Sequence, residues 1–382
     1  MTQVTYTDDE IITALREHGS NRKAAKALGC DPRTVERRRK SLAAKGYSPD
    51  HDMTRTVPDG FKVKGVSTYY DDEGRVRGQW VKSSADAERQ REILLAAVEA
   101  MAADLPRVKP RKAKGSWRDD LLTVYPIGDP HLGMLSWPDE TGQDWNLEVA
   151  KQVHCDAMSA LVEASPDSET ALMVNLGDAL HFDSLEAKTP RGGNLLDADG
   201  RYAKIVDVAI ATMRQCVESA LAKHKRVHII CVPGNHDETG GLWLARLLAI
   251  AYEREPRVAV DTTPGVFAYY RWGKVLLGVH HGHTCKPDKL PGVMAADRAK
   301  DWGESEHRVW LTGHVHHESR KEYAGVTVET FGTLAARDAY AHTGGWRSRR
   351  DMQSVIFHAE HGEVARSRVN AAMFANTGEV AA

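Results

Sequence analysis

The sequence predicts an α/β fold for residues 118–370, preceded by a small all-α domain. Two observations predict it. Five apolar runs of strand length, at 121–127, 171–176, 227–232, 275–279 and 309–312, each lead into a short block that joins Gly to Asp, Asn or His. Ahead of them, residues 7–45 carry apolar stripes at helical spacing, divided by glycines and capping residues.

The first 48 residues read as three short helices. Thr7 with Glu10 forms a capping box, and Ile11, Ile12 and Leu15 follow on one face. His18-Gly19 ends that helix. Ser20 or Asn21 starts a second, with Ala24, Ala25 and Leu28 as its apolar stripe. Leu28-Gly29-Cys30-Asp31 is a tight turn, after which Pro32 takes the first position of a third helix. That helix carries Arg33, Arg37, Arg38, Arg39 and Lys40 around Val35. The pattern resembles a helix-turn-helix domain, whose second motif helix enters the major groove of DNA. By that resemblance Arg33 and Arg37 are base-reading candidates, and Arg38, Arg39 and Lys40 are phosphate contacts, which supply affinity without sequence information.

Residues 49–117 read as a connector. Two extended stretches, 61–70 and 76–82, flank an Asp71-Asp72-Glu73-Gly74 turn and predict a β-hairpin. Residues 84–103 predict a helix whose seam is Leu94, Val98, Met101 and Leu105, with Ile93 and Ala97 beside it. That stripe would pack on the α/β domain or join copies of the chain in a homo-oligomer. Arg107 to Lys114 is a basic linker.

The length of 382 residues allows two to three domains. No apolar stretch approaches the ~18 residues of a membrane span, and the polar N-terminus lacks a secretory pattern, so no membrane partner is expected. The five cysteines are scattered without a CxxC pair, as expected of reduced thiols in a cytoplasmic protein. Net charge is −2, but residues 1–117 hold 23 Lys+Arg against 17 Asp+Glu, leaving the remainder at −8. A basic front on an acidic domain predicts a polyanion, DNA first, handled by the front.

The blocks that follow the five strands are Gly128-Asp129-Pro130-His131, Gly177-Asp178, Gly234-Asn235-His236-Asp237, His280-His281-Gly282-His283 and Gly313-His314-Val315-His316. A carboxylate and an imidazole separated by one residue at a strand end can chelate one cation from the same side. Any one block is weak. Five in order, each after a strand, predict a two-metal site.

The set resembles the signature of the calcineurin-like metallophosphoesterases over residues 118–370, with residues 371–382 as a tail. The resemblance implies a four-layer αββα sandwich of two mixed β-sheets. It implies a first metal held by Asp129, His131, Asp178 and His316, and a second held by Asp178, Asn235, His281 and His314, with Asp178 bridging. His280 and His281 could each point inward; the resemblance favours His281, directly before Gly. It places His236 beside the scissile phosphate and makes Asp237 a partner that orients an imidazole or loop. His283 would then lie near the substrate. Two cations sharing Asp178 imply a bridging hydroxide as nucleophile, with His236 stabilising charge or protonating the leaving alkoxide. A donor set rich in histidine suits manganese, iron or zinc, with manganese first by resemblance.

Gly177-Asp178-Ala179-Leu180-His181 and Asp129-Pro130-His131-Leu132-Gly133 are similar to the SbcD-type DNA repair nuclease branch. His181 would contact the sugar-phosphate backbone or orient His236. Arg191, in the basic loop 188–194, would clamp a phosphate. The helix-turn-helix front is foreign to that nuclease and resembles phage or prophage architecture. The leading expectation is a DNA nuclease or phosphodiesterase. The alternatives are a phosphatase or cyclic-nucleotide phosphodiesterase acting on a small phosphoester, and a DNA-binding regulator with a non-catalytic metal domain.

Overall fold

The computed structural model describes residues 6–44, 59–70, 76–103, 105–113 and 115–374. The expected hairpin turn at 71–74 and residues 375–382 of the tail lie outside the described residues. The chain divides into two compact units, Met1–Ala100 and Met101–Ala382, so the connector expected at 49–117 contributes residues to both.

The first unit holds α1 (Asp8–His18), α2 (Asn21–Leu28), α3 (Pro32–Ala44), the antiparallel pair β1 (Phe61–Tyr70) and β2 (Val76–Ala85), and most of α4 (Ala87–Ala102). Thr7 closes its capping box with Glu10, and Gly19 and Gly29 end α1 and α2 in the left-handed region. Asp31 accepts the Arg33 N–H at 2.7 Å, fixing the start of α3. Ile11, Leu15, Ala24, Ala25, Val35 and Leu42 form the small core between the three helices. Arg33, Arg37, Arg39 and Lys40 stand exposed on α3. Arg38 does not fit the phosphate-contact role expected for it. Its guanidinium lies 2.8 Å from the Asp8 carboxylate and donates to the Tyr6 carbonyl at 2.8 Å, tying α3 to the start of α1. The α4 seam is also displaced. Val98 and Ala102 are buried and Leu94 is half-buried, whereas Met101, Ile93 and Ala97 are exposed. Spacing 94–98–102 is the i, i+4, i+8 row, one step round from the row that Met101 shares with Ile93 and Ala97.

The second unit begins with β3 (Arg118–Ile127), α5 (Pro138–Thr141), α6 (Leu147–Ala164), β4 (Ser168–Asn175), α7 (Tyr202–Lys223), β5 (Arg226–Cys231), α8 (Gly240–Ala251) and β6 (Val258–Val260). It continues through β7 (Ala268–Trp272), β8 (Val275–Val279), α9 (Leu290–Asp297), α10 (Ala299–Glu304), β9 (His307–Thr312), β10 (Ser319–Tyr323), β11 (Val326–Thr330), α11 (Ala339–Thr343), β12 (Asp351–His358) and β13 (Gly362–Asn370). These strands form two mixed sheets, in the orders β13-β12-β3-β4-β5-β6 and β10-β11-β9-β8-β7.

The two sheets face each other across one apolar layer. Leu122, Val124, Leu172, Val174 and Ile230 from the first meet Val275, Leu277, Val279, Val309 and Leu311 from the second. Alternation along each strand decides which face a residue serves. Leu276 and Trp310, one residue out of phase, turn to the opposite face and pack with Leu290 and Met294 of α9. Helices α6, α7 and α8 pack on strands of the six-stranded sheet, completing four layers, α-β-β-α. Strands β3, β4 and β5 run parallel and in register, Ile127 beside Asn175 and Asn175 beside Cys231. Three of the ligand blocks therefore leave the sheet at one level. The other two leave the parallel neighbours β8 and β9.

Two histidines outside the ligand blocks predict how this unit responds to acid. His224 donates from Nδ1 to the Ser168 carbonyl at 3.0 Å and accepts the Tyr125 hydroxyl on Nε2 at 2.8 Å. His154 donates from Nδ1 to the Ala150 carbonyl at 2.7 Å. Burial pushes both imidazoles down to about 4. Between the ordinary histidine value of ~6.5 and that folded value, the unfolded chain binds protons the folded chain refuses. Stability is therefore fully present above pH ~6.5 and is lost as pH falls toward 4, by about 1.4 kcal/mol per pH unit per imidazole. Urea unfolding at stepped pH is expected to show that slope. His224→Gln should flatten it; an equal slope in the variant would remove His224 from the account.

Candidate metal centre

Backbone conformation marks the site before any side chain is considered. Among the described residues, six that are not glycine have φ in the left-handed region, and five are expected ligands: Asp129, His131, Asp178, His314 and His316. Asp and His are among the residue types that tolerate that region, at a cost of about 1–3 kcal/mol each where it is strained. Each turn bends back at the strand end so that alternate side chains converge. Glycine is required beside them. A Cβ on Gly177 would stand 2.7 Å from His281 Nδ1, and one on Gly234 would overlap the Asp178 carboxylate.

The expected ligands fall into two adjoining groups, Asp129–His131–His316 and Asp178–His281–His314, each with donor atoms within 4.8 Å of one another. In the first, the Nε2 atoms of His131 and His316 face each other at 3.0 Å, and His316 Nε2 lies 3.5 Å from Asp129 Oδ1. In the second, His281 Nε2 lies 3.0 Å from Asn235 Oδ1 and 3.2 Å from Asp178 Oδ2. The same Asp178 Oδ2 lies 3.9 Å from His131 Nε2, so this carboxylate stands between the groups. His281 donates from Nδ1 to the Leu176 carbonyl at 2.8 Å, which leaves its Nε2 lone pair for the centre. His280 is turned away. It accepts the Gly282 N–H on Nδ1, hydrogen-bonds Thr284 and stacks on Phe267.

Charge within the cluster fits divalent cations. Burial, with His236 and His316 adding to it, pushes His131 well below the ordinary histidine value, so it offers a neutral lone pair. Burial likewise lowers His314. Burial lowers His281 too, but Asp178 and Asp129 outweigh it and hold the imidazole at about 9, so a cation bound at Nε2 would have to displace the proton that these carboxylates stabilise there. Asp178, despite burial, is held below the usual carboxylate range by His281, His131 and His236. Carboxylates, imidazoles and one amide oxygen aimed at two adjacent points form a donor set for divalent metal.

His236 stands beside this set. Its N–H donates to Asp178 Oδ1 at 2.8 Å, and its Nδ1 donates to the His181 carbonyl at 2.8 Å. A carbonyl only accepts, so the proton sits on Nδ1 and Nε2 is left for chemistry. His181 is 1% exposed and cannot reach a sugar-phosphate backbone. Its carbonyl accepts from His236 Nδ1, and its ring Nδ1 lies 3.3 Å from His131 Nδ1. With His131 Nε2 directed at the centre, His131 donates that Nδ1 proton to His181. Asp237 is fully buried and accepts the N–H groups of Asp178, Leu180 and Gly234 at 3.0–3.1 Å, clamping the second block to the third. Burial, with Asp178 and Asp183 beside it, pushes its carboxyl up, and those N–H groups pull it back toward the ionised form. Both His181 and Asp237 position other groups. Neither is placed to touch a substrate. His181→Ala is expected to weaken metal binding about 10–100-fold. Competition against a chromogenic chelator measures this, and unchanged affinity would deny the ring its part.

His283 is half-buried, with its ring 5.2 Å from that of His281, and burial pushes it down to about 4. Arg191 is exposed and ion-paired with Glu238, the residue after Asp237. Sequence reasoning did not find Thr333, whose hydroxyl donates to the Asp129 carbonyl at 2.7 Å, or Asp183, whose carboxylate accepts the Thr239 N–H and hydroxyl. Single threonines and aspartates in loops have no pattern by which to be noticed.

No family model matches the chain, and no curated protein matches it in sequence. Similar solved structures include a predicted phosphoesterase from Streptococcus pneumoniae TIGR4, at 11% identity and TM-score 0.28, covering 65% of this chain and 98% of that one. Vps29 from Entamoeba histolytica, crystallised with zinc, is 14% identical with TM-score 0.27 and coverage of 65% and 99%. Phosphopantetheinyl hydrolase from Mycobacterium tuberculosis is 14% identical with TM-score 0.27 and coverage of 56% and 91%. At that level of likeness, function rests on the side chains themselves.

Proposed function

We propose that this chain is a two-metal phosphodiesterase of the calcineurin-like kind that hydrolyses DNA. The observation that carries this reading is the pair of adjoining donor groups with Asp178 between them and the Nε2 of His236 left open beside them. Bound there, two divalent cations, manganese first and iron or zinc after it, would lower the pKa of a shared water toward neutrality and screen the phosphate oxygens. Asp129, His131 and His316 would hold one cation, and Asn235, His281 and His314 the other, with Asp178 common to both. His236, held through Nδ1 by the His181 carbonyl, would act in its doubly protonated form, passing the Nε2 proton to the leaving oxygen and becoming the neutral Nδ1–H imidazole. His283 and Arg191 border the same centre and would meet the flanking phosphate or sugar.

DNA is favoured over a small phosphoester by the exposed Arg33, Arg37, Arg39 and Lys40 of α3 and by the basic loop that carries Lys188 and Arg191. Helix-turn-helix recruitment would place the polymer near the catalytic unit without adding to the chemistry. The test is a substrate panel with manganese: linear duplex, single-stranded DNA, bis-p-nitrophenyl phosphate and p-nitrophenyl phosphate. Hydrolysis of the diesters and DNA is expected, and the salt dependence of duplex affinity should weaken in Arg39→Ala/Lys40→Ala. Cleavage of the monoester alone would overturn the nuclease reading. An inert protein carrying its full metal complement would point to a regulator instead.

A further inference from the structure

Beside the metal centre, the segment from Thr333 to Arg350 builds a ledge that the reaction does not require. Its inner end is tied to the site. Thr333 holds the Asp129 carbonyl, and Asp338 caps α11 through the Ala341 N–H at 2.8 Å. Its outer end turns through Gly344 and Gly345, the latter at φ 76°, and folds back so that the Trp346 N–H donates to the Ala341 carbonyl at 3.1 Å. That turn sets the Trp346 ring against Tyr340, with centroids 5.1 Å apart and planes at 72°. Both remain open to solvent, Tyr340 at 73% and Trp346 at 53%. Trp137, 60% exposed, caps α5, which packs on α11.

Charge accompanies the rings. Residues 337–351 contain four arginines against two aspartates. Arg350 is engaged with the Leu334 carbonyl and lies over the Trp145 ring, but Arg347 and Arg349 are exposed. Arg347 is steadied by the carbonyls of His342 and Trp346. Arg349 lines a cavity of about 150 Å³ with His317 and Glu318, directly after the ligand His316. Its link to Glu318 is long, 3.9 Å, and Glu318 is already paired with Arg368 at 2.8 Å.

Solvent-facing aromatic rings with interleaved arginines, running outward from a phosphoester centre, match one ligand chemistry. A nucleotide offers a π-face for the ring and a phosphate for the guanidinium. In a duplex those base faces are covered by neighbouring base pairs. We therefore propose that Tyr340 and Trp346, with Arg347 and Arg349, stack and hold unpaired nucleotides of a DNA strand whose phosphodiester lies at the metal centre. The proposal rests on the phosphodiesterase reading and adds to it the single-stranded state of the substrate at the site.

The full-length Tyr340→Ala/Trp346→Ala protein is compared with the wild type on a short oligothymidylate and on a blunt duplex. KM for oligothymidylate is expected to rise about tenfold with kcat little changed, within what stacking of a single base supplies. KM for the duplex should not move. Tyr340→Phe/Trp346→Phe, which keeps both rings, should restore the wild-type KM and so exclude a folding defect. An unchanged oligothymidylate KM in the alanine variant, or an equal rise for the duplex, would overturn the ledge. Anisotropy of labelled oligothymidylate on EDTA-treated protein repeats the comparison without turnover. Wild-type hydrolysis of bis-p-nitrophenyl phosphate, measured in parallel, reports separately on the phosphodiesterase reading.

Discussion

Replacing His236 with alanine is expected to lower kcat on bis-p-nitrophenyl phosphate about 10²–10⁴-fold, the usual contribution of a positioned general acid. Metal content should match the wild type. The reason lies in how the residue is held. Its backbone N–H, which the substitution keeps, is the group that donates to Asp178 Oδ1. Its ring has one nitrogen committed to the His181 carbonyl and the other directed at the centre. Alanine removes the proton donor and leaves the carboxylate with its backbone partner. KM should change little, because the interaction belongs to the transition state. Metal analysis of the purified variant, together with the kcat and KM split, checks this. A variant that loses metal in proportion to activity would make His236 a ligand and end the general-acid assignment.

The parts of the molecule legible in the sequence are those where one physical requirement dominates. Residues 121–127, 171–176 and 227–232 are buried between two layers, so they read as near-continuous apolar runs, each interrupted by one polar residue (Thr123, Asn175 and His228), and β3, β4 and β5 coincide with them to within a few residues. The caps of α1 and α2 were visible because Thr7, Glu10, Gly19, Ser20 and Gly29 each satisfy a local backbone need. What escaped depends on tertiary neighbours. Ile93, Leu94 and Leu95 are three apolar residues in succession, so helical periodicity allowed more than one seam on α4, and packing chose the row through Val98 and Ala102. Arg38 sits within a run of basic residues that reads as solvent-facing, yet an aspartate thirty residues earlier captures it. Within the centre, spacing indicated which residues converge. It could not indicate that His181 works through its carbonyl and its buried ring, or that Asp237 fastens two loops by their N–H groups.

Chelation of the metals is expected to lower the melting temperature by roughly 10–20 °C, and Asp178→Asn should erase most of the difference between loaded and stripped protein. Five expected ligands hold left-handed backbone, and six carboxylate and imidazole groups are gathered at adjacent strand ends with the Asn235 amide oxygen beside them, so the folded chain presents a site that the unfolded chain does not. A ligand at about 100 times its Kd stabilises such a fold by about 2.7 kcal/mol per site, and each kcal/mol is worth about 2–4 °C in a domain of this size. The Asp178 carboxylate reaches the imidazole Nε2 atoms of both groups, with Oδ2 3.2 Å from His281 Nε2 and 3.9 Å from His131 Nε2. Its neutral amide would keep the volume and an oxygen but lose the charge that both cations share. Loss of any other single ligand should leave one group nearly whole and about half the thermal shift. Differential scanning calorimetry with saturating manganese and with EDTA compares Asp178→Asn with His314→Ala. If Asp178→Asn retains the full metal-induced shift, Asp178 does not bridge. If His314→Ala removes as much as Asp178→Asn, the two groups bind as one cooperative unit and not as two sites joined by a common carboxylate.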